Sequence, residues 1–119
     1  MIKVSLEKDK LGNIQKVIVQ GHACYEEAGE FDIVCAGVSA LTITLLNGFE
    51  TVLKIDEKML KRTVGPGYTE FQVPVFNDDI PDLQVKTLTD VYASGIRSMA
   101  EAYSDYITVI ENCGGEYND

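Results

Sequence analysis

Two side chains in this chain are suited to attack on a carbonyl: the only histidine, His22, and Cys35. They stand on either side of a short acidic segment that contains Gly29. The thiolate is the reactive form of cysteine, so a nucleophilic cysteine needs something that favours ionisation and a base that carries its proton. Asp32 is a favoured helix N-cap, and the following IVCAGVSALTITLL sets Val34, Val38, Leu41 and Leu45 on one helical stripe. With Asp32 as the cap, Cys35 is the third helical residue, where unpaired amides and the helix dipole favour a thiolate and the capping carboxylate opposes it. Ser39 falls one turn after Cys35 on the same face, placed to bond the histidine, a substrate carbonyl or the helix backbone at Cys35.

Two other readings compete with catalysis at these residues. A buried structural cysteine is a common fate for a lone thiol. His22, Cys24 and Cys35 are also a conceivable zinc set, but the closely spaced cysteine pairs of structural zinc sites are absent. Cys24 and Cys113 receive no role beyond packing.

The elements that must hold these residues follow from periodicity. Ile2, Val4 and Leu6 alternate with polar residues as in a half-buried strand, Asp9 to Asn13 reads as a turn, and Ile14 to Gln20 returns as a second strand. Gly21 frees the backbone at that strand's end and releases His22 toward the next element. A first helix is expected from about Ile33 to near Val52. Gly37 within it costs about 1 kcal/mol against alanine, which either close approach of a substrate or helix packing would explain. Lys58 to Val64 and Tyr68 to Val75 read as a second strand pair around Gly65, Pro66 and Gly67. A long second helix starts around Asn77 to Asp82. Its stripe of Leu88, Tyr92, Gly95, Met99, Ala102, Tyr106 and Ile110 ends at Gly114 and Gly115. The expected fold is α+β: two β-hairpins forming a four-stranded sheet packed with two helices, in the order ββαββα.

A chain of 119 residues supports one core, so residues 1–119 are read as a single domain. The net charge of -9 disfavours a surface that tracks nucleic-acid phosphates and favours a basic partner. Three cysteines without framework spacing, and an opening MIKVSLEKDK that is neither a signal peptide nor a membrane span, point to the cytoplasm.

The string GHA, an acidic loop, and DIVCAGVSAL together resemble the signature of the ribosomal-processing cysteine protease family, Prp. The resemblance implies a cysteine endopeptidase with a His22–Cys35 dyad, supported by Asp32 and Ser39. It implies removal of the N-terminal extension of bacterial large-subunit ribosomal protein twenty-seven during ribosome assembly, by a homodimer without metal or other cofactor. Glu26, Glu27 and Glu30, beside Gly21, would then attract the basic part of the substrate while a groove takes its apolar part. In this chain Phe31 stands ahead of Asp32, a departure from the family's pattern. A non-enzymatic assembly factor that binds a basic ribosomal protein is the alternative of a different class, and it predicts binding with no change in the partner's mass.

Overall fold

The computed structural model describes residues 1–21 and 30–114, with the side chains of residues 30–32 outside that description. A mixed five-stranded sheet carries two helices on one face. Strands β1 (Ile2–Lys8) and β2 (Ile14–Gln20) form the first hairpin, closed by a turn in which one Asp9 carboxylate oxygen accepts from the amides of Leu11 and Asn13, each at 2.9 Å. Helix α1 (Glu30–Asn47) follows and continues through one wider turn at Gly48–Val52. A single tight turn at Glu57–Leu60 precedes the second hairpin, β3 (Thr63–Gly65) with β4 (Tyr68–Gln72). Helix α2 (Asp79–Ala102) then leads to β5 (Ile107–Cys113).

The sheet runs β3-β4-β2-β1-β5, antiparallel throughout except for β5, which lies parallel to β1. Alternation decides which face is covered. Ile2, Val4, Leu6, Val17, Val19, Phe71 and Ile107 share one face and are 0–3% exposed, whereas Lys3, Lys16, Gln20, Glu70 and Thr108 point the other way. The helices therefore cover one side only, and each helix keeps an outer surface.

The two helices interlock, large residue against small. A Cβ added at Gly37 would meet the Met99 methyl at 2.7 Å, one at Gly95 would meet both Leu41 methyls at 3.2 Å, and one at Gly48 would meet Leu88 at 3.2 Å. Between these contacts Tyr92 shares a 3.0 Å hydrogen bond with Thr42, whose hydroxyl also donates to the Val38 carbonyl at 2.9 Å. The stripe read from Leu88 to Met99 is thus the α1 contact. Gly37 is small because Met99 occupies the adjacent space, so packing accounts for it.

Three expectations need correction. The sheet has five strands, not four, because the stripe through Tyr106 and Ile110 breaks after Ala102. Tyr103 leaves helical geometry at φ -129°, and the β-branched run Ile107, Thr108, Val109, Ile110 alternates into a strand that β1 receives edge to edge. The order is therefore ββαββαβ, and Gly114 follows a strand. Lys58 to Val64 is mostly a capped turn: Asp56 accepts from the Lys58 amide at 2.9 Å, and the strand proper is only Thr63–Gly65. Finally α1 opens at Glu30, so Asp32 lies in its first turn and is not its cap.

Candidate active site

Strand β2 ends under tight control at the residue before His22. Gly21 has φ +86° and donates its amide to the Gly67 carbonyl at 2.9 Å. A Cβ there would fall 2.4 Å from the Met1 carbonyl oxygen, so the start of β1 and the β3–β4 turn grip this residue from both sides. Only glycine fits both the backbone angle and the space. His22, Cys24, Glu26 and Glu27 lie outside the described residues, as do the side chains of Glu30 and Asp32. The dyad geometry, the acidic substrate contacts and the zinc set that were read from the sequence therefore fall beyond what the structure describes.

Cys35 comes from α1, between Val34 and Val38 in the core cluster, and is 3% exposed. Its position along the helix differs from expectation: with the helix opening at Glu30 it is the sixth residue, not the third. The dipole acts mainly within the first turn, so the helix entrance contributes less to activating this sulfur than a third-position cysteine would receive. Side chains on a helix lean toward its N-terminus, which carries the thiol back over the first turn, whose amides have no intrahelical partner.

Ser39, half-buried, lies one turn beyond Cys35 and lines a groove of about 310 Å³ between α1 and the sheet edge. Val19, Ile43 and Leu46 form its apolar walls, with Val64 and Thr69 on the hairpin side. Arg62 also lines the groove, with its guanidinium 3.2 Å from Glu50 and 3.4 Å from Glu57, so its charge is already engaged. Val19 is two residues from Gly21 and Ser39 is one turn from Cys35. The strand end that leads into His22 and the helical turn that carries the thiol therefore border one apolar channel. Sequence reading missed Thr42, Ile43, Leu46 and Val64. For Ile43 the signal was available, since it repeats the Cys35–Ser39 spacing once more along the same helix face.

Among the described residues no three histidine, cysteine, aspartate or glutamate side chains gather as metal ligands.

Comparison with known proteins agrees with this architecture. No curated protein sequence matches the chain. The Streptococcus mutans protein SMU.848 superposes with a TM-score of 0.71 at 28% identity, over 95% of this chain and 98% of that one. A Staphylococcus aureus ribosomal processing protease Prp, crystallised with a substrate peptide, gives a TM-score of 0.74 at 20% identity, over 94% of this chain and all of that one. A second structure of that protease, with a covalently linked product peptide, gives 0.70 at 22% identity over the same shares. At that identity these two bear on the fold. The family model described as "Cysteine protease Prp" matches residues 1–108, which spans both hairpins, both helices and the turn that carries the thiol, and the chain belongs to that family of cysteine proteases.

Proposed function

We propose that this chain is an endopeptidase that removes the N-terminal extension of large-subunit ribosomal protein twenty-seven, with Cys35 as nucleophile and His22 as its proton carrier. The observation that carries the reading is the apolar groove shared by Val19 and Ser39, which borders both segments of the dyad and suits an extended apolar peptide. Family membership and the S. aureus protease crystallised with a substrate peptide support it.

In the proposed reaction His22 takes the thiol proton as the Cys35 sulfur attacks the carbonyl carbon of the scissile bond. The oxyanion is held by amides of the first turn of α1, which have no intrahelical partner and lie on the side toward which the thiol leans. Collapse breaks the C–N bond, and His22 delivers the proton to the departing amine. The acyl group then remains on sulfur as a thioester. Water, deprotonated by His22, attacks that thioester, releases the extension as an acid and restores the thiol. Asp32 and Ser39 orient the pair, and Glu26, Glu27 and Glu30 draw in the basic residues after the cut.

The reading extends to a cytoplasmic homodimer that makes no nucleic-acid contact. The outer surface of α1 presents Ile33, Ala36, Ala40, Thr44 and Asn47, all exposed and none charged, and α2 adds exposed Val91 and Ser94. On a chain of net charge -9 this is the surface on which two copies repel least. Light scattering should give twice the chain mass, and Ala40→Glu should return the monomer; a wild-type monomer at micromolar concentration refutes it.

The function is tested by incubating the protein with a peptide spanning the extension and reading masses. Wild type should yield two fragments whose masses sum to the peptide plus one water, and Cys35→Ala should yield none while remaining folded. Cleavage by Cys35→Ala at the wild-type rate refutes the assignment. Binding with no mass change would favour the assembly-factor reading, and stoichiometric zinc in the purified protein the metal one.

A further inference from the structure

A second apolar cavity, of about 260 Å³, opens at the opposite end of the fold, between the β1–β2 turn and the start of α2. Ile14, Val73 and Val85 line it, and Val75 and Leu83 stand at it with 62% and 64% of their surface exposed. Three carboxylates complete it. Asp82 is fixed by accepting the amides of Phe76 at 2.8 Å and Asp78 at 3.1 Å, Asp9 by the two turn amides, and Asp90 pairs with Lys86 at 2.8 Å. A neighbouring groove of about 360 Å³ shares Asp9, Val73 and Val75 with this cavity and adds Glu7, Lys8 and Lys16.

The lysines that line these two recesses are already engaged: Lys86 by Asp90, Lys8 by Glu111 at 2.7 Å, and Lys16 by Glu70 at 3.0 Å. Glu7, Asp9 and Asp82 form no ion pair among the described residues. The region is therefore an apolar recess rimmed by fixed, uncompensated negative charge. Hydrogen bonds from backbone amides hold Asp9 and Asp82 in place, so a cation that meets them does not have to order them first.

We propose that this recess is an exosite, resting on the protease reading above: it docks a basic segment of the mature part of the protein substrate. An apolar side chain enters between Val75 and Leu83, and a flanking lysine or arginine meets Asp9 and Asp82. Leu83 lies sixteen residues along α2 from Met99, which packs on Gly37 beside Cys35, so the recess is roughly 24 Å from the thiol at 1.5 Å per residue. An extended chain covers that distance in about seven residues at 3.3 Å each. Substrate that engages the recess must therefore extend well past the cut, and a short peptide cannot reach it.

The test compares a peptide ending about five residues after the cut with the full-length precursor, for wild type, Leu83→Lys and Val75→Lys, both changes being at exposed positions. Each variant should lose about ten-fold in kcat/KM on the precursor, through KM, and cut the peptide at the wild-type rate. In parallel, the mature protein is titrated into Cys35→Ala by calorimetry. It should bind, and Leu83→Lys should weaken that binding by about ten-fold. An unchanged precursor-to-peptide ratio, or mature-protein binding indifferent to Leu83→Lys, overturns the exosite. If wild type cuts neither substrate, the protease reading fails and the calorimetry alone decides whether the recess docks a basic protein.

Discussion

Gly21→Ala should be among the most damaging single-methyl additions in this chain, and the reason is measurable against an internal control. Gly12 and Gly21 have nearly the same backbone angle, φ +87° and +86°, so alanine at either meets the left-handed penalty of about 1–2 kcal/mol. At Gly12 a Cβ finds nothing within 4 Å, whereas at Gly21 it lands 2.4 Å from the backbone oxygen of Met1. A carbonyl of the main chain cannot swing aside as a side-chain tip does. The start of β1 or the end of β2 must shift, which weakens the Gly21–Gly67 bond of 2.9 Å and the Lys3–Gln20 pairing, each worth about 1 kcal/mol. Urea denaturation should therefore show a loss of about 1–2 kcal/mol for Gly12→Ala and, with one or both of those interactions weakened, about 2–4 kcal/mol for Gly21→Ala. Because the displaced strand end leads into His22, cleavage by Gly21→Ala should fall even where the protein is still folded, while Gly12→Ala should retain full activity. Equal losses of stability for the two variants would refute the steric argument.

Three further outcomes follow from named contacts. In a Cys24→Ser background a bulky alkylating reagent should modify exposed Cys113 ahead of Cys35, which is 3% exposed, whereas a peptide-based alkylator that enters the groove should modify Cys35 first, as mass mapping over time will report. Arg97, and after it Lys8, hold the Glu111 carboxyl down at about 2. A depressed carboxyl stabilises the fold above its unfolded value, so this contribution should be present above about pH 4.5 and fade as pH falls toward 2. Glu111→Gln should flatten that part of the acid-denaturation curve, by no more than about 1 kcal/mol for a solvent-screened network. Burial, opposed by the Thr42 hydrogen bond, pushes the Tyr92 hydroxyl up to about 12. A raised phenol stabilises the fold below its unfolded value and loses that effect as pH rises from 10 to 12, so Tyr92→Phe should be less sensitive to alkali and cost about 1 kcal/mol at neutral pH.

Much of the fold was legible because its signals are local. The first hairpin follows from Ile2, Val4 and Leu6 and from the turn chemistry of Asp9 and Gly12, and the α1–α2 contact follows from the spacing of Leu88, Tyr92, Gly95 and Met99. The misread segments are those in which two periods fit the same residues. Tyr106 and Ile110 continue a helical stripe on paper, but Ile107 and Val109 also alternate. Only the free edge of β1, a partner about a hundred residues earlier in the chain, decides for the strand. Lys58 to Val64 failed for a similar reason: Asp56 captures the Lys58 amide and uses up the residues that would have begun the strand. At the site, residue types identified Cys35 and Ser39 as neighbours on one helix face. They did not reveal the groove, because its far wall, Val64 and Thr69, belongs to another hairpin.

The position of Cys35 ties chemistry to folding through a single helix. Its neighbours Val34 and Val38 are fully buried, and Gly37, two residues on, is locked against Met99, so the thiol cannot move far without disturbing the α1–α2 contact. If Cys35 is the nucleophile proposed above, that packing supplies the orientation its attack requires. The same burial leaves the sulfur 3% exposed, whereas one turn later Ser39 reaches the groove. On the proposed reading, a peptide that fills the groove approaches the thiol along α1 instead of from bulk water. Widening the channel at Ile43, which is 57% exposed and outside the core, should then alter which peptides are cut and leave the stability of the helix pair unchanged. Val38→Ala, at a fully buried position, should instead lower stability by about 1–3 kcal/mol in urea denaturation.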